Sequence, residues 1–277
     1  MSQDRIPLAG VIGNPVSHSR SPKLHGHWLK RYGIKGHYIP LHVEKADLAR
    51  VLETMPKMGF VGCNITIPHK VTALELADAV SDRASLIGAA NTLSFRPDGK
   101  IYADNTDGYG FVASLRQGAP NWVPAAGPAV VLGAGGAARA IITSLLDAGV
   151  PEVILSNRTR TNADALRQEF GAKITVVEWV QVGDAIGECA TLVNTTSLGM
   201  KGAEEFRVPL DQLQKSTVVT DIVYEPLRTQ LLRTAEEAGC TTVDGLGMLL
   251  HQAVPGFERW FGVRPEVDDE LRRAVLA

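Results

Sequence analysis

Short apolar runs rich in Val and Ile alternate along this chain with longer stretches whose apolar residues recur every three or four positions. The first pattern suits strands buried in a sheet and the second amphipathic helices, so the alternation predicts an α/β fold with mostly parallel strands. In the first part of the chain, strands are expected at 6–12, 38–43, 62–67 and 92–95, with helices at 22–32, 46–55 and 70–80. Arg96-Pro97-Asp98-Gly99 is a turn signal, and it predicts that residues 100–103 return as an antiparallel strand, making this sheet mixed.

A helical segment at 108–116 leads into GAPNWVPAAGP, a Pro- and Gly-rich stretch that reads as a connection. A second α/β run follows, with strands at 129–132, 153–156, 174–177, 191–194, 218–222 and 241–243. The chain ends in two amphipathic helices, 247–261 and 265–276, with no strand of their own to cover. Their apolar faces need a host, and packing back on the first unit would make that domain discontinuous: 1–106 completed by 246–277, around a Rossmann-like domain at 107–245.

A chain of 277 residues is long for a single core, in keeping with two domains. Its net charge of -2 leaves no basic surplus for a nucleic-acid backbone or an anionic bilayer, and no apolar stretch is long enough to span a membrane. Neither nucleic acid nor membrane is expected as a partner, and the opening residues carry no signal-peptide pattern, so the chain is read as cytoplasmic. Cys63, Cys189 and Cys240 are far apart, and His25 and His27 stand two apart on a helix, so neither a disulfide framework nor a metal site is expected.

The chemistry begins at Gly133-Ala134-Gly135-Gly136-Ala137-Ala138, between an apolar strand and a helical run. That context is the one a dinucleotide fingerprint requires: Gly133 for the tight turn, Gly135 for close approach of a pyrophosphate, and small Ala138 where helix meets strand. Amides at the helix start would face the phosphates. The next strand ends in Asn157-Arg158-Thr159-Arg160, where selectivity for NAD would place an acidic residue on the ribose 2′-hydroxyl. Arginines there favour a 2′-phosphate instead, and the cofactor is read as NADP.

In the first unit, Ser21 beside Pro22 is a natural N-cap, while capping does not explain Ser19. Two hydroxyls at a positive helix end would suit a carboxylate. NITIPHK ends a strand and delivers Lys70 to the next helix, and Asn91 and Asp107 stand in polar turns.

Nine segments in order, SHSRSP, NITIPHK, IGAANT, DNTDG, GAGGAAR, NRT, NTTSLGM, DIVYEP and GLGMLLHQ, resemble the shikimate dehydrogenase family through nearly the whole chain. The resemblance implies an N-terminal α/β substrate domain and an NADP-binding Rossmann-like domain. It implies reversible NADPH-dependent reduction of 3-dehydroshikimate to shikimate in aromatic amino-acid biosynthesis, by a monomer or homodimer. It further implies that Ser19 and Ser21 bind the substrate carboxylate, while Asn64, Thr66, Asn91, Tyr224 and Gln252 surround the ring with Lys70 and Asp107. Asp82, Ile222 and Gly245 fall near the nicotinamide, and Gly133, Ala134, Gly135, Gly136, Ala137, Asn157, Arg158 and Thr159 hold the rest of the cofactor.

Reduction of a ketone needs a proton donor within reach of the nascent alkoxide, and Lys70, coupled to Asp107, is the candidate pair. One departure stands out: many NADP-using relatives carry a basic residue three positions after the NRT threonine, where this chain has Asn162. The alternatives to this reading are a quinate/shikimate dehydrogenase using NAD and a non-catalytic NADP-binding regulator.

Overall fold

The computed structural model describes residues 6–277, which fall into two compact units: the chain up to Thr106 together with Gln252–Ala277, and Asp107–His251. The first contains β1 (Leu8–Gly13), α1 (Ser21–Arg31), β2 (His37–His42), α2 (Leu48–Thr54), β3 (Gly62–Ile65), α3 (Lys70–Glu75), β4 (Ala79–Val80), α4 (Asp82–Ile87), β5 (Thr92–Phe95) and β6 (Ile101–Asp104). Its sheet has the order β2-β1-β3-β5-β6-β4 and is mixed, because β5 runs antiparallel to both β3 and β6. Ile12, Leu48, Leu52, Ile65 and Leu93 form a buried core. Asn64, between Cys63 and Ile65, therefore points to the opposite face, as strand alternation requires.

Two local expectations are corrected. The helix expected at 70–80 ends at Glu75, because the backbone of the next residues is taken by the sheet edge: Asp78 N–H donates to Ile101 O at 3.0 Å and Ser81 N–H to Ala103 O at 3.0 Å. Ser81 then caps α4 by accepting from Ala84 N–H at 3.2 Å. The second concerns Ser21, which is the first helical residue rather than the cap. Ser19 Oγ accepts the Ser21 N–H at 3.3 Å, so the preceding serine supplies the acceptor.

The second unit holds α5 (Asp107–Gly118), β7 (Ala129–Leu132), α6 (Gly136–Ala148), β8 (Val153–Ser156), α7 (Arg160–Phe170), β9 (Ile174–Val176), α8 (Val182–Glu188), β10 (Thr191–Asn194), β11 (Val218–Asp221), α9 (Gln230–Glu237) and β12 (Thr241–Val243). Every pairing in its sheet is parallel, in the order β9-β8-β7-β10-β11-β12, the doubly wound arrangement with its switch point between β7 and β10. Burial on both faces explains the continuous apolar runs: Ala129 and Val131 pack into one cluster, Val130 and Leu132 into another.

Helix α10 (Gly245–Phe261) changes host along its length, so the division between units falls inside it. Its first turns belong with the second unit, where His251 Nε2 lies 2.9 Å from Gln117 Oε1. Its last turns belong with the first, where Trp260 Nε1 donates to Leu93 O at 3.0 Å and Arg259 reaches Asp104 at 2.5 Å. The final helix α11 (Asp269–Leu276) starts later than the expected residue 265, since the Asp268 carboxylate caps it through Leu271 N–H at 2.9 Å. Among the described residues no helix is long and apolar enough to cross a membrane.

Asp104 joins three elements. Its fully buried carboxylate accepts from Ser81, from Arg83 at 2.6 and 2.7 Å, and from Arg259. Burial alone would raise its pKa, but the hydrogen bonds from Arg83, Ser81 and Arg259 outweigh it and hold the carboxyl well below the usual range. A carboxyl depressed in the native state contributes stability that is complete above its ordinary value of 3.8 and is lost as the pH falls toward the native value. The urea midpoint is expected to drop on going from neutral pH to below the ordinary carboxylate range. Asp104→Asn should show a shallower drop; an unchanged slope would remove Asp104 from the acid-sensitive set.

Candidate active site

Polar side chains gather at the carboxyl ends of β1 and β3 and in the turns beside them, the usual place for chemistry in an α/β unit. Asn64 is the centre of this group. Its Nδ2 donates to Asn91 O at 3.1 Å and Thr92 Oγ1 at 3.2 Å, while its Oδ1 accepts from the Tyr38 hydroxyl at 2.7 Å. Sequence reasoning assigned Tyr38 no role; burial pushes its phenol well up, only partly opposed by Ser21, so it remains a neutral donor. The structure thus brings Tyr38, Asn64 and Asn91 into one network, with Ser21 near enough to Tyr38 to act on its phenol. Beside it lies buried His25, stacked on Tyr38 with ring centroids 3.9 Å apart; burial, only partly opposed by Asn64, lowers its pKa to about 3 and keeps it neutral.

Asn91 Oδ1 accepts the Thr106 N–H at 2.9 Å and the Thr92 hydroxyl at 2.9 Å, tying the IGAANT and DNTDG turns together. Asn105 reinforces this by donating to Ala89 O at 2.9 Å. Lys70 is the first residue of α3, and the turn before it is anchored twice. His69 N–H donates to Thr66 O at 2.9 Å, and buried His69 Nε2 sits 2.8 Å from Val43 O, which can only accept. Lys70 itself is half-buried, as is Thr66, whereas Asp82 is exposed on the first residue of α4. Ser19 is half-buried in the loop before α1, and Gln252 is half-buried on α10.

In the second unit, Asp107 is buried on the first residue of α5. Gly133 has φ +103°, and a Cβ there would stand 2.7 Å from Thr195 Oγ1, so both backbone and space demand glycine. Gly135 and Gly136 are exposed at the start of α6, and a Cβ on either would meet nothing within 4 Å, which leaves room for a pyrophosphate on the amides. Ala138 is fully buried against the sheet. Asn157 shapes the turn from below: its Oδ1 accepts the Ala134 N–H at 3.2 Å and its Nδ2 donates to Thr159 O at 2.8 Å. Ile222 and Gly245 meet directly, since a Cβ on Gly245 would lie 2.3 Å from Ile222 O, and Tyr224 is half-buried just past β11.

Arg158 is largely exposed and pairs with Glu204 at 3.3 Å. Arg160, by contrast, is engaged by Glu178 and by Asp164, the latter at 3.4 Å. Thr196, Ser197, Glu204 and Arg207 line the same cavity as Asn157 and Arg158, and none was given a role from sequence. NTTSLGM was a usable signal for the first two. The glutamate and arginine carry none, because they sit in irregular chain between β10 and β11. No group of three or more His, Cys, Asp or Glu side chains among the described residues is placed to hold a metal ion.

A doubly wound parallel sheet, an open glycine turn at its switch point and an arginine after its second strand define a dinucleotide-binding protein of the phosphorylated-cofactor class. Comparison with known proteins narrows this. Residues 11–93 match the family model of the shikimate dehydrogenase substrate binding domain, 125–225 that of shikimate/quinate 5-dehydrogenase, and 245–276 that of the shikimate 5′-dehydrogenase C-terminal domain. A shikimate dehydrogenase (NADP(+)) of Cereibacter sphaeroides is 70% identical over 273 residues, 99% of this chain and 98% of the relative. Among solved structures, Thermus thermophilus shikimate 5-dehydrogenase in complex with NADP(H) and shikimate is 35% identical with a TM-score of 0.86, covering 98% of each chain. A quinate dehydrogenase from Corynebacterium glutamicum in complex with NAD is 31% identical with a TM-score of 0.91, covering 99% of each. The chain belongs to the shikimate dehydrogenase family.

Proposed function

We propose that this protein catalyses the reversible NADPH-dependent reduction of 3-dehydroshikimate to shikimate, with Lys70 and Asp107 as the proton-transfer pair. The observation that carries the reading is the likeness to NADP(+) shikimate dehydrogenases over the full chain, with Lys70, Asp107 and Asn157-Arg158-Thr159 all present. A cytoplasmic monomer or homodimer is the corresponding form. The first unit acts as the substrate domain and the second as the cofactor domain.

NADPH, held by the glycine turn and by Asn157, Arg158 and Thr159, would supply a hydride equivalent for reduction of the ring ketone. The chain must do the rest. Lys70 stabilises the oxygen as charge develops and gives it a proton from Nζ; in the oxidative direction the same group takes the proton of the shikimate C3 hydroxyl. Asp107 orients the lysine and shares its titration, so the two act as one unit. The anchored turn formed by Thr66 and His69 supports this role, since a donor that must meet one oxygen gains from a rigid mount. Asn64, Thr66, Asn91, Tyr224 and Gln252 hold the ring and its hydroxyls; Asp82, Ile222 and Gly245 border the nicotinamide. Gly133, Ala134, Gly135, Gly136 and Ala137 receive the pyrophosphate.

Ser19 and Ser21 bind the substrate carboxylate at the start of α1. Ser19→Ala and Ser21→Ala are each expected to raise the KM for shikimate. Because Ser19 holds the Ser21 N–H, the stability cost of about 0.5 to 1 kcal/mol belongs to Ser19→Ala rather than to Ser21→Ala. Normal shikimate KM in both variants would move the carboxylate elsewhere.

The reaction is tested by following the absorbance of reduced nicotinamide with 3-dehydroshikimate and identifying the product chromatographically. Consumption of NADPH with stoichiometric shikimate is the expected result. No substrate-dependent consumption would favour the regulator.

A further inference from the structure

The cavity beside the basic turn, about 570 Å³, receives two arginines from separate segments: Arg158 from the turn after β8 and Arg207 from the chain between β10 and β11. Arg207 does not hang from a loose loop. Phe206 and Val208 on either side of it are buried, 2% and 6% exposed, in the core cluster with Val130 and Leu132, so the backbone is pinned and the side chain between them turns outward. Each arginine faces a glutamate that also lines the cavity: Arg158 pairs with Glu204 at 3.3 Å and Arg207 with Glu205 at 3.2 Å. The four formal charges cancel.

A phosphate monoester carries a charge of roughly -1.5 to -2 near neutral pH, and such an anion is best held by more than one guanidinium. The other candidates for a second cation fail. Residue 162 is asparagine, and Arg160, engaged by two carboxylates, Glu178 and Asp164, is not among the residues that line the cavity. A phosphate entering this cavity would exchange for a carboxylate already on Arg158, so the contact is a replacement of one anion by another rather than a capture by free cations.

We propose that Arg207 is the second cationic ligand of the cofactor 2′-phosphate, taking the place of the basic residue absent at position 162, and that Glu204 is the carboxylate the phosphate displaces. The proposal rests on the reading of NADP as cofactor. It makes selectivity for NADP depend on residues distant in sequence from the NRT turn: one that attracts the phosphate and one that competes with it.

The test is calorimetric titration of the full-length protein with adenosine 2′,5′-bisphosphate and with 5′-AMP, which needs no turnover. Arg207→Ala is expected to weaken the bisphosphate about tenfold and leave 5′-AMP unaffected, with Arg207→Lys in between, the size of one lost charge-assisted contact. Glu204→Gln, which keeps the shape and removes the competing charge, should tighten the bisphosphate severalfold and leave 5′-AMP alone. A matching thermal midpoint for each variant checks the fold. Equal loss of both nucleotides in Arg207→Ala, or no loss of either, overturns the role of Arg207, and an unchanged or weakened bisphosphate in Glu204→Gln overturns that of Glu204. A wild-type protein that does not distinguish the two nucleotides overturns the inference and the NADP assignment together. One that does distinguish them but fails to turn over shikimate overturns only the proposed reaction.

Discussion

Lys70→Ala is expected to lower kcat by about 10² to 10⁴, the usual contribution of a positioned acid or base, while affinity for NADP stays close to that of the wild type. The distinction matters because Lys70 could instead serve only to hold the ring. A group that merely binds is lost equally from ground state and transition state, so its removal raises KM and spares kcat. Asp107→Asn should also depress kcat, and the double variant should be little worse than the more damaged single one, since coupled groups fail as a unit. Additive losses would separate the two residues, and near-normal kcat with a raised shikimate KM would leave the reaction without its donor.

Arg158→Ala should raise the KM for NADP about ten- to a hundredfold and change that for NAD little, because a charge-assisted contact to the 2′-phosphate is lost. Steady-state kinetics with both cofactors measures it. Arg160→Ala is the control. With Arg160 held by Glu178 and Asp164, its removal should leave the cofactor preference in place. Equal loss with both cofactors in Arg158→Ala would show that the arginine supports the fold of the turn and not the phosphate.

The second unit was the more legible part of the sequence, because its central strands β7, β10 and β11 are buried on both faces and read as largely apolar runs bounded by turns. Its glycine turn is also local: Gly133 to Ala138 declare strand end, turn and helix start within a few residues. In the first unit the pattern failed where tertiary pairing outweighs local period. Ala79 and Val80 look like the tail of a helix, yet β6 claims the backbone around them. Ser81 followed by Asp82 was the cap signal that would have ended the helix earlier. Ser21 beside Pro22 gave a reasonable cap in the wrong register, since Ser19 bonds the Ser21 N–H before the helix begins.

The network around the polar strand ends was visible only as separate motifs. Asn64, Asn91 and Thr106 lie far apart in sequence, and what joins them is strand pairing plus Tyr38 on β2, whose hydroxyl has no motif to mark it. The same holds for Glu204 and Arg207. Irregular chain carries no period, so its side chains are placed by tertiary contacts: the burial of Phe206 and Val208 and the hydrogen bond from Gly199 N–H to Glu204 O.

The most direct test of the assignment as a whole is kcat/KM measured for shikimate and for quinate, each with NADP and with NAD, on the purified wild-type protein. Shikimate with NADP should be the best of the four combinations, with quinate poor under either cofactor. A preference for quinate with NAD would contradict the account and place the chain with the quinate-using branch of its family.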